Sequence, residues 1–172
     1  MNAAFAKLWR LPPLESAVLI GFAASVTIAG AWIFEAFGIL PCELCLKQRQ
    51  PYYFGVPLAL IVTWITLRGP RGLITAGFAA LALVFAGSAA FGAYHAGVEW
   101  GFWPGPSACT GSSLPTAGGN LLEQLKDFRV VRCDEVAIRI LGLSLAGWNA
   151  VVSLGITALA ARAAYGSSTE SQ

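Results

Sequence analysis

Four long stretches without a charged residue constrain this chain more than any other feature of its sequence. They cover residues 16–34, 52–67, 73–94 and 140–161. A helix needs about 20 apolar residues to cross the roughly 30 Å hydrocarbon layer of a bilayer. Only 12% of all residues are charged and 56% are hydrophobic, whereas about a quarter are charged in soluble domains. The sequence therefore predicts an all-α membrane protein built as a four-transmembrane-helix bundle.

We expect one integral membrane domain over residues 1–172. The predicted transmembrane helices lie at about 15–35, 46–67, 72–94 and 138–162, and the predicted outer loops at about 36–46 and 95–137. The first stretch follows two basic residues, as a secretory signal does, but it is too long for one and three more stretches follow. In the long loop, the apolar residues of segment 121–128 fall on one face of a helix and its polar residues on the opposite face, which predicts a short amphipathic helix. This helix either lies on the membrane or packs on the rest of the loop.

The second stretch is short for a membrane span. Its sixteen residues give about 24 Å of helix at 1.5 Å per residue. A helix that starts near Leu46 would reach the required length and would hold Cys45 at the membrane surface. Pro51 disfavours helical geometry in the residue before it, so we expect a kink at this point.

The orientation of the chain follows from its basic residues. The short turn at 68–71 carries two arginines, and short loops rich in Lys and Arg remain in the cytoplasm. The termini are therefore predicted to be cytoplasmic, and all four cysteines to face the oxidising periplasm of a bacterial inner membrane. The net charge of +2 without a basic block gives no indication of nucleic-acid binding.

The four cysteines form two candidate pairs. Cys42 and Cys45 make a C-x-x-C motif, while Cys109 and Cys133 lie in the long polar loop. C-x-x-C motifs lower thiol pKa values and favour disulfide exchange. Arg49 lies one helical turn after Cys45, where it could stabilise a thiolate or extend to the lipid head groups.

Other roles for the cysteines fit less well. A zinc site commonly repeats the close cysteine spacing or adds histidines, but Cys109 and Cys133 are 24 positions apart and His95 is the only histidine. No metal is therefore predicted. Covalent haem attachment requires a histidine directly after the second cysteine, where this chain has Leu46. Two structural disulfides in a non-enzymatic membrane scaffold remain an alternative.

A redox pair at the membrane also needs an electron acceptor. The chain lacks a Gly-rich nucleotide-binding fingerprint, whereas a lipid-soluble quinone needs no such fold and can approach between helices to meet Cys45. Among the other polar residues, Glu35 and Arg139 are predicted to mark the membrane interface. Glu99 is predicted to belong with Trp100, Phe102 and Trp103 to an interfacial aromatic belt, or else to a partner-binding patch.

The motif PCELCLKQR at 41–49, the segment YHAGVEWGFWPGPSAC at 94–109 and the four-helix plan resemble the bacterial disulfide bond formation protein B family over nearly the whole chain. The resemblance implies a protein-disulfide:quinone oxidoreductase. Such a protein oxidises a periplasmic thioredoxin-like DsbA-type protein and reduces ubiquinone or menaquinone in the lipid bilayer.

By matching position, the resemblance also assigns roles to individual residues. It implies that the partner attacks Cys109, that Cys133 is the loop mate of Cys109, and that Cys42 and Cys45 form the pair next to the quinone. Arg49 and, less directly, His95 would bind the quinone beside Cys45. Gln48 stands where better-studied members have an acid. A vitamin K epoxide reductase-like quinone reductase is a second alternative, but that family places its C-x-x-C on the last helix.

Overall fold

The computed structural model describes residues 11–106 and 132–169. The described chain is mostly helical. Its four helices are α1 (Pro13–Ala36), α2 (Glu43–Arg68), α3 (Arg71–Glu99) and α4 (Leu145–Thr169), and two short strands, β1 (Arg139–Ile140) and β2 (Leu143–Ser144), precede α4. The predicted amphipathic helix at 121–128 and Cys109 lie outside the described residues.

Three of the described helices, α1, α3 and α4, are long and apolar enough to cross a membrane. The remaining helix, α2, has 26 residues, but its first two turns carry Lys47, Gln48, Arg49 and Gln50. These polar residues keep its apolar part short, as the sequence indicated. The expectation of a mostly helical bundle is confirmed.

The helix boundaries differ from the predicted ones at the start of α2, at the end of α3 and at both ends of α4, which ends at Thr169 rather than at about 162. Helix α2 begins at Glu43, before the predicted start, because the sulfur of Cys42 caps the helix by accepting the backbone N–H of Cys45. It then continues through both Pro51 and Pro57. Helix α3 extends to Glu99 rather than ending near residue 94. His95 therefore lies in a helix and not at the start of a loop.

Helix α4 starts later than predicted because a β-hairpin precedes it. Strands β1 and β2 pair antiparallel, and the two residues between them, Leu141 and Gly142, both have positive φ angles, 53° and 85°. Two such residues are the signature of a type I′ hairpin turn. The indole N–H of Trp148 donates to the carbonyl of Ile140 at 2.9 Å and ties the hairpin to α4.

The helices pack around an apolar core that includes Ile20, Phe78 and Phe85. Helices α3 and α4 approach closely at Gly92, where a Cβ atom would lie 2.9 Å from the backbone nitrogen of Ala150. Small residues permit such close contacts between membrane helices. The contact brings the C-terminal part of α3 against the start of α4.

A buried polar network crosses this core. The hydroxyl of Tyr52 in α2 donates to Asn149 Oδ1 in α4 at 2.6 Å. The hydroxyl of Ser153 is 2.9 Å from Tyr52 Oη and 2.9 Å from Ser88 Oγ in α3. Because buried polar groups are costly without partners, this network fixes how α2, α3 and α4 are rotated against one another.

Candidate active site

The C-x-x-C motif lies at the N-terminus of α2. Cys42 precedes the helix and Cys45 lies in its first turn. Their sulfur atoms are 2.9 Å apart and hydrogen-bonded, and both thiols are free. The backbone N–H of Cys45 also donates to the sulfur of Cys42 at 3.2 Å. A helix N-terminus favours negative charge, so this position suits a thiolate at Cys42.

His95 adds a second donor to this sulfur. Its Nε2 is 3.7 Å from Cys42 Sγ, and its Nδ1 is 2.7 Å from the amide nitrogen of Gln48. The Gln48 amide donates to Nδ1, so the ring proton lies on Nε2 and points at the sulfur. The imidazole is 1% exposed. Gln48 therefore sets the tautomer and the orientation of His95.

These contacts lower the pKa of Cys42 from its ordinary value of 9.0 to about 4. The hydrogen bond with the side chain of Cys45 contributes most, and His95 and the backbone N–H of Cys45 add to it, while burial opposes them. Hydrogen bonds to the charged form of a group favour that form. Cys42 is consequently the ionised member of the reduced pair.

Cys133 lies on the same side of the motif as Cys42. It is 1% exposed and belongs to one buried cluster with Cys42, Leu44 and Val98, against which Cys45 and Phe91 pack. Cys133 is disulfide-bonded. The structure therefore brings one cysteine of the long loop to the C-x-x-C, as disulfide exchange between the two pairs would require.

Cys45, unlike Cys42, also lines a largely apolar cavity of about 320 Å³ between α1, α2 and α4. The polar side chains of Gln48, Arg49, Tyr52 and Asn149 are among those that line it. The Nδ2 atom of Asn149 is buried and has no hydrogen-bond partner. Small-molecule sites are commonly apolar cavities of this size with a few convergent polar groups.

Arg49 lines this cavity beside Cys45, but its charge is paired with another residue. Its guanidinium forms a salt bridge with Glu35 of α1 and donates to the carbonyl of Ala31 at 3.3 Å. The Arg49 side chain is only 11% exposed, so most of it is covered by the protein. Glu35, predicted only to mark the interface, holds this arginine against α1.

Glu99 is also more deeply buried than predicted. Its side chain is 7% exposed and its Oε1 lies 4.0 Å from His95 Nε2, while its Oε2 has no hydrogen-bond partner. The sulfur atoms of Cys42 and Cys45 and a ring nitrogen of His95 all lie within 4.8 Å of one another. These three side chains could together hold a metal ion, a grouping that the spacing in sequence did not indicate.

The predicted site residues thus fall on two sides of the motif. Cys45 and Arg49 line the large cavity, whereas His95 lies beside Cys42 and lines a second, smaller one. Sequence reasoning missed the contacts of Gln48 and Glu99. One signal for Glu99 was its spacing of four residues from His95, which places both on one face of a helix.

Comparisons with known proteins agree with this geometry. The family model for disulfide bond formation protein DsbB matches residues 15–163. A disulfide bond formation protein B of Marinobacter nauticus is 32% identical over 140 residues, covering 74% of this chain and 77% of that protein. One of Saccharophagus degradans is 26% identical over 170 residues, with 89% and 94% covered. An uncharacterized protein of Rickettsia prowazekii is 26% identical over 134 residues, with 75% and 74% covered.

No solved structure shows significant similarity to the chain. The family model nevertheless spans most of the sequence, and it includes the C-x-x-C, Cys133 and all the residues that line the two cavities. The chain therefore belongs to the DsbB family, the membrane oxidoreductases of disulfide bond formation.

Proposed function

We propose that this protein is a protein-disulfide:quinone oxidoreductase with four transmembrane helices in a bacterial inner membrane. It oxidises a periplasmic thioredoxin-like DsbA-type protein and delivers the electrons to ubiquinone or menaquinone. The termini are cytoplasmic, and the cysteines face the periplasm, where their disulfides persist. The single observation that carries this proposal is the two-sided C-x-x-C: Cys42 packs with Cys133, while Cys45 lines the large apolar cavity.

Electrons enter through the loop pair. A thiolate of the reduced partner attacks Cys109 of the Cys109–Cys133 disulfide and releases Cys133 as a thiolate. The second thiol of the partner then displaces Cys109 and completes the partner's own disulfide. Each exchange passes through a mixed disulfide. The partner loses two electrons, and the loop pair becomes a dithiol.

The second exchange passes these electrons to the C-x-x-C. Cys133 attacks Cys42 of the Cys42–Cys45 disulfide, because these two residues belong to one buried cluster. The sulfur of Cys45 leaves toward the large cavity, and Cys109 then displaces Cys42 and restores the loop disulfide. Cys42 and Cys45 now hold the two electrons as a reduced pair.

The large cavity fits a quinone head group in size and in lining. Its volume of about 320 Å³ is at the lower end of ordinary ligand pockets, and the unpartnered Nδ2 of Asn149 offers a donor for a quinone oxygen. A bound quinone supplies an acceptor for two electrons and two protons, and the Cys42–Cys45 disulfide re-forms. Arg49 provides a positive charge at the same wall.

The ionised sulfur of Cys42 assists the direction of transfer. Stabilising the reduced form of a dithiol makes its disulfide a stronger oxidant. The hydrogen bonds that lower the pKa of Cys42 therefore help the C-x-x-C to accept electrons from the loop pair. The quinone then drives the sequence by removing them.

The test uses the purified full chain in detergent with a reduced DsbA-type protein and a short-chain ubiquinone or menaquinone. Quinone absorbance and partner thiols are followed together, and one quinone is expected to be consumed per partner disulfide formed. In Cys45→Ser this turnover should stop. A visible charge-transfer band that needs both quinone and Cys45 would report their contact directly.

A double variant separates the two halves of the reaction. With Cys109→Ser and Cys133→Ser the partner should remain reduced, yet a chemically reduced C-x-x-C should still be oxidised by quinone. The absence of quinone consumption in the unaltered protein, or full turnover in Cys45→Ser, would refute the proposal. A non-enzymatic scaffold with two structural disulfides would show neither quinone consumption nor oxidation of the partner.

A further inference from the structure

The space on the Cys42 side of the motif has the size of an ion rather than of a quinone. This second cavity has a volume of about 30 Å³, about the share of one water molecule in the liquid. The side chains of Cys42, Cys45, His95 and Glu99 all line it. Two sulfurs, one imidazole nitrogen and one carboxylate are the ligand types that Zn²⁺ prefers.

We propose that the reduced C-x-x-C, together with His95 and Glu99, forms a four-ligand site for a thiophilic divalent cation such as Zn²⁺. The cation would hold both sulfurs as thiolates and prevent them from joining as a disulfide. The site is a reversible brake on the oxidoreductase, because only the reduced pair can bind the ion. It is independent of which quinone accepts the electrons.

The observed distances are close to those of a tetrahedral site. Zn–S bonds of about 2.3 Å and Zn–N bonds of about 2.0 Å imply about 3.8 Å between the sulfurs and about 3.5 Å between sulfur and nitrogen. The distance from Cys42 Sγ to His95 Nε2 is already 3.7 Å. The sulfurs, now 2.9 Å apart, must separate by about 0.9 Å to reach the spacing that the ion requires.

Glu99 provides the fourth ligand and the independent sign that one belongs here. Its side chain is 7% exposed and Oε1 is 4.0 Å from His95 Nε2, just outside the group formed by the two sulfurs and the imidazole. The Ser144 hydroxyl is close enough to favour the ionised carboxylate, yet Oε2 has no hydrogen-bond partner. A buried carboxylate oxygen without a partner is costly. A cation in the neighbouring cavity would satisfy it.

Gln48 and the local charges support the same site. A metal-bound Nε2 carries no proton, so the ring proton moves to Nδ1, and the Gln48 amide can turn over to accept it. Such a second hydrogen bond is typical of histidine ligands. Arg132 also lines the cavity, but its guanidinium is engaged by Asp134 and Glu135.

The site can be tested with Co²⁺, whose absorption reports coordination number and thiolate ligands. The protein is the full chain in detergent with Cys109→Ser and Cys133→Ser, so that only the C-x-x-C thiols remain. After reduction we expect one Co²⁺ per chain with a tetrahedral spectrum, displaced by Zn²⁺. The oxidised chain should show no such spectrum. Bound Zn²⁺ should slow oxidation of the pair by diamide at least tenfold.

Two variants and one control decide the ligand set. Glu99→Gln and His95→Phe should each weaken Co²⁺ binding at least tenfold. Glu43→Gln is the matched control, since this carboxylate lies between the two cysteines in sequence but pairs with Lys47 on the exposed face. Unchanged affinity in Glu99→Gln and His95→Phe would overturn the proposal, because two thiols alone would then account for binding. An octahedral spectrum would also overturn it, and both results leave quinone reduction untouched.

Discussion

The ionisation of Cys42 predicts how the reduction potential of the C-x-x-C changes with pH. The pKa of this thiol is lowered to about 4, so above that pH the reduced pair holds only the proton in the hydrogen bond between the two sulfurs. Reduction of the disulfide then takes up two electrons and one proton. The potential should fall by about 30 mV per pH unit, since this is the tenfold step of a two-electron couple.

Two ordinary thiols behave differently. They would take up two protons between pH 5 and 8, and the potential would fall by about 59 mV per pH unit. The three units between a pKa of about 4 and pH 7 correspond to about 90 mV, or about 4 kcal/mol, in favour of the reduced pair. This stabilisation of the reduced pair by the Cys42 thiolate reaches its full size above the ordinary thiol pKa of 9.0. It is lost as the pH falls through the lowered pKa of about 4.

The assay equilibrates quinone-free protein carrying Cys109→Ser and Cys133→Ser with dithiol redox buffers at several pH values. The remaining thiols are then alkylated and counted by mass spectrometry. A slope near 30 mV per unit from pH 5 to 8 is expected. A slope near 59 mV would show that Cys42 is protonated and that its contacts with Cys45 and His95 do not lower its pKa.

Three further predictions concern packing and the large cavity. Tyr52→Phe should lower the free energy of unfolding in detergent by about 1–3 kcal/mol, since it leaves a buried amide oxygen without its donor; Tyr165→Phe, at an exposed side chain, should have a much smaller effect on thermal unfolding. Gly92→Ala should destabilise the protein by about 1–3 kcal/mol through overpacking, whereas Gly87→Ala, with no atom within 4 Å of the added carbon, should not. Arg49→His should raise the apparent quinone KM several-fold in steady-state assays, and an unaltered KM would restrict Arg49 to its salt bridge.

The sequence predicted the helical architecture well because burial in lipid leaves a simple signal. Long uncharged stretches must be helical to satisfy their backbone groups, and each of them appears as a described helix. The start of α4 was placed too early because residues 140–144 are apolar and yet form a hairpin. Leu141 adopts a positive φ, and a leucine in a sequence gives no indication of this conformation.

The site was predicted only in part. The spacing of Cys42 and Cys45 was enough to recognise the C-x-x-C. The spacing of Cys45 and Arg49 was enough to place both on one face of a helix. His95, however, contacts Cys42 although the two residues are 53 positions apart in sequence. The spacing of residues within one helix does not predict a contact between two different helices. The burial of Glu99 was missed for a related reason, because it depends on α3 continuing one turn beyond its apolar stretch.

The second turn of α2 is tied to each of the other described helices. Gln48 contacts His95 of α3, Arg49 pairs with Glu35 of α1, and Tyr52 donates to Asn149 of α4. Rotating α2 about its axis would break all three contacts at once. The C-x-x-C is therefore held in one position by the other helices. If disulfide exchange proceeds as proposed, the segment that carries Cys133 must move and the C-x-x-C need not. Under the proposed function, the rate of turnover should then respond to the length and stiffness of that segment, and much less to substitutions in α2 that leave Cys45, Gln48, Arg49 and Tyr52 unchanged.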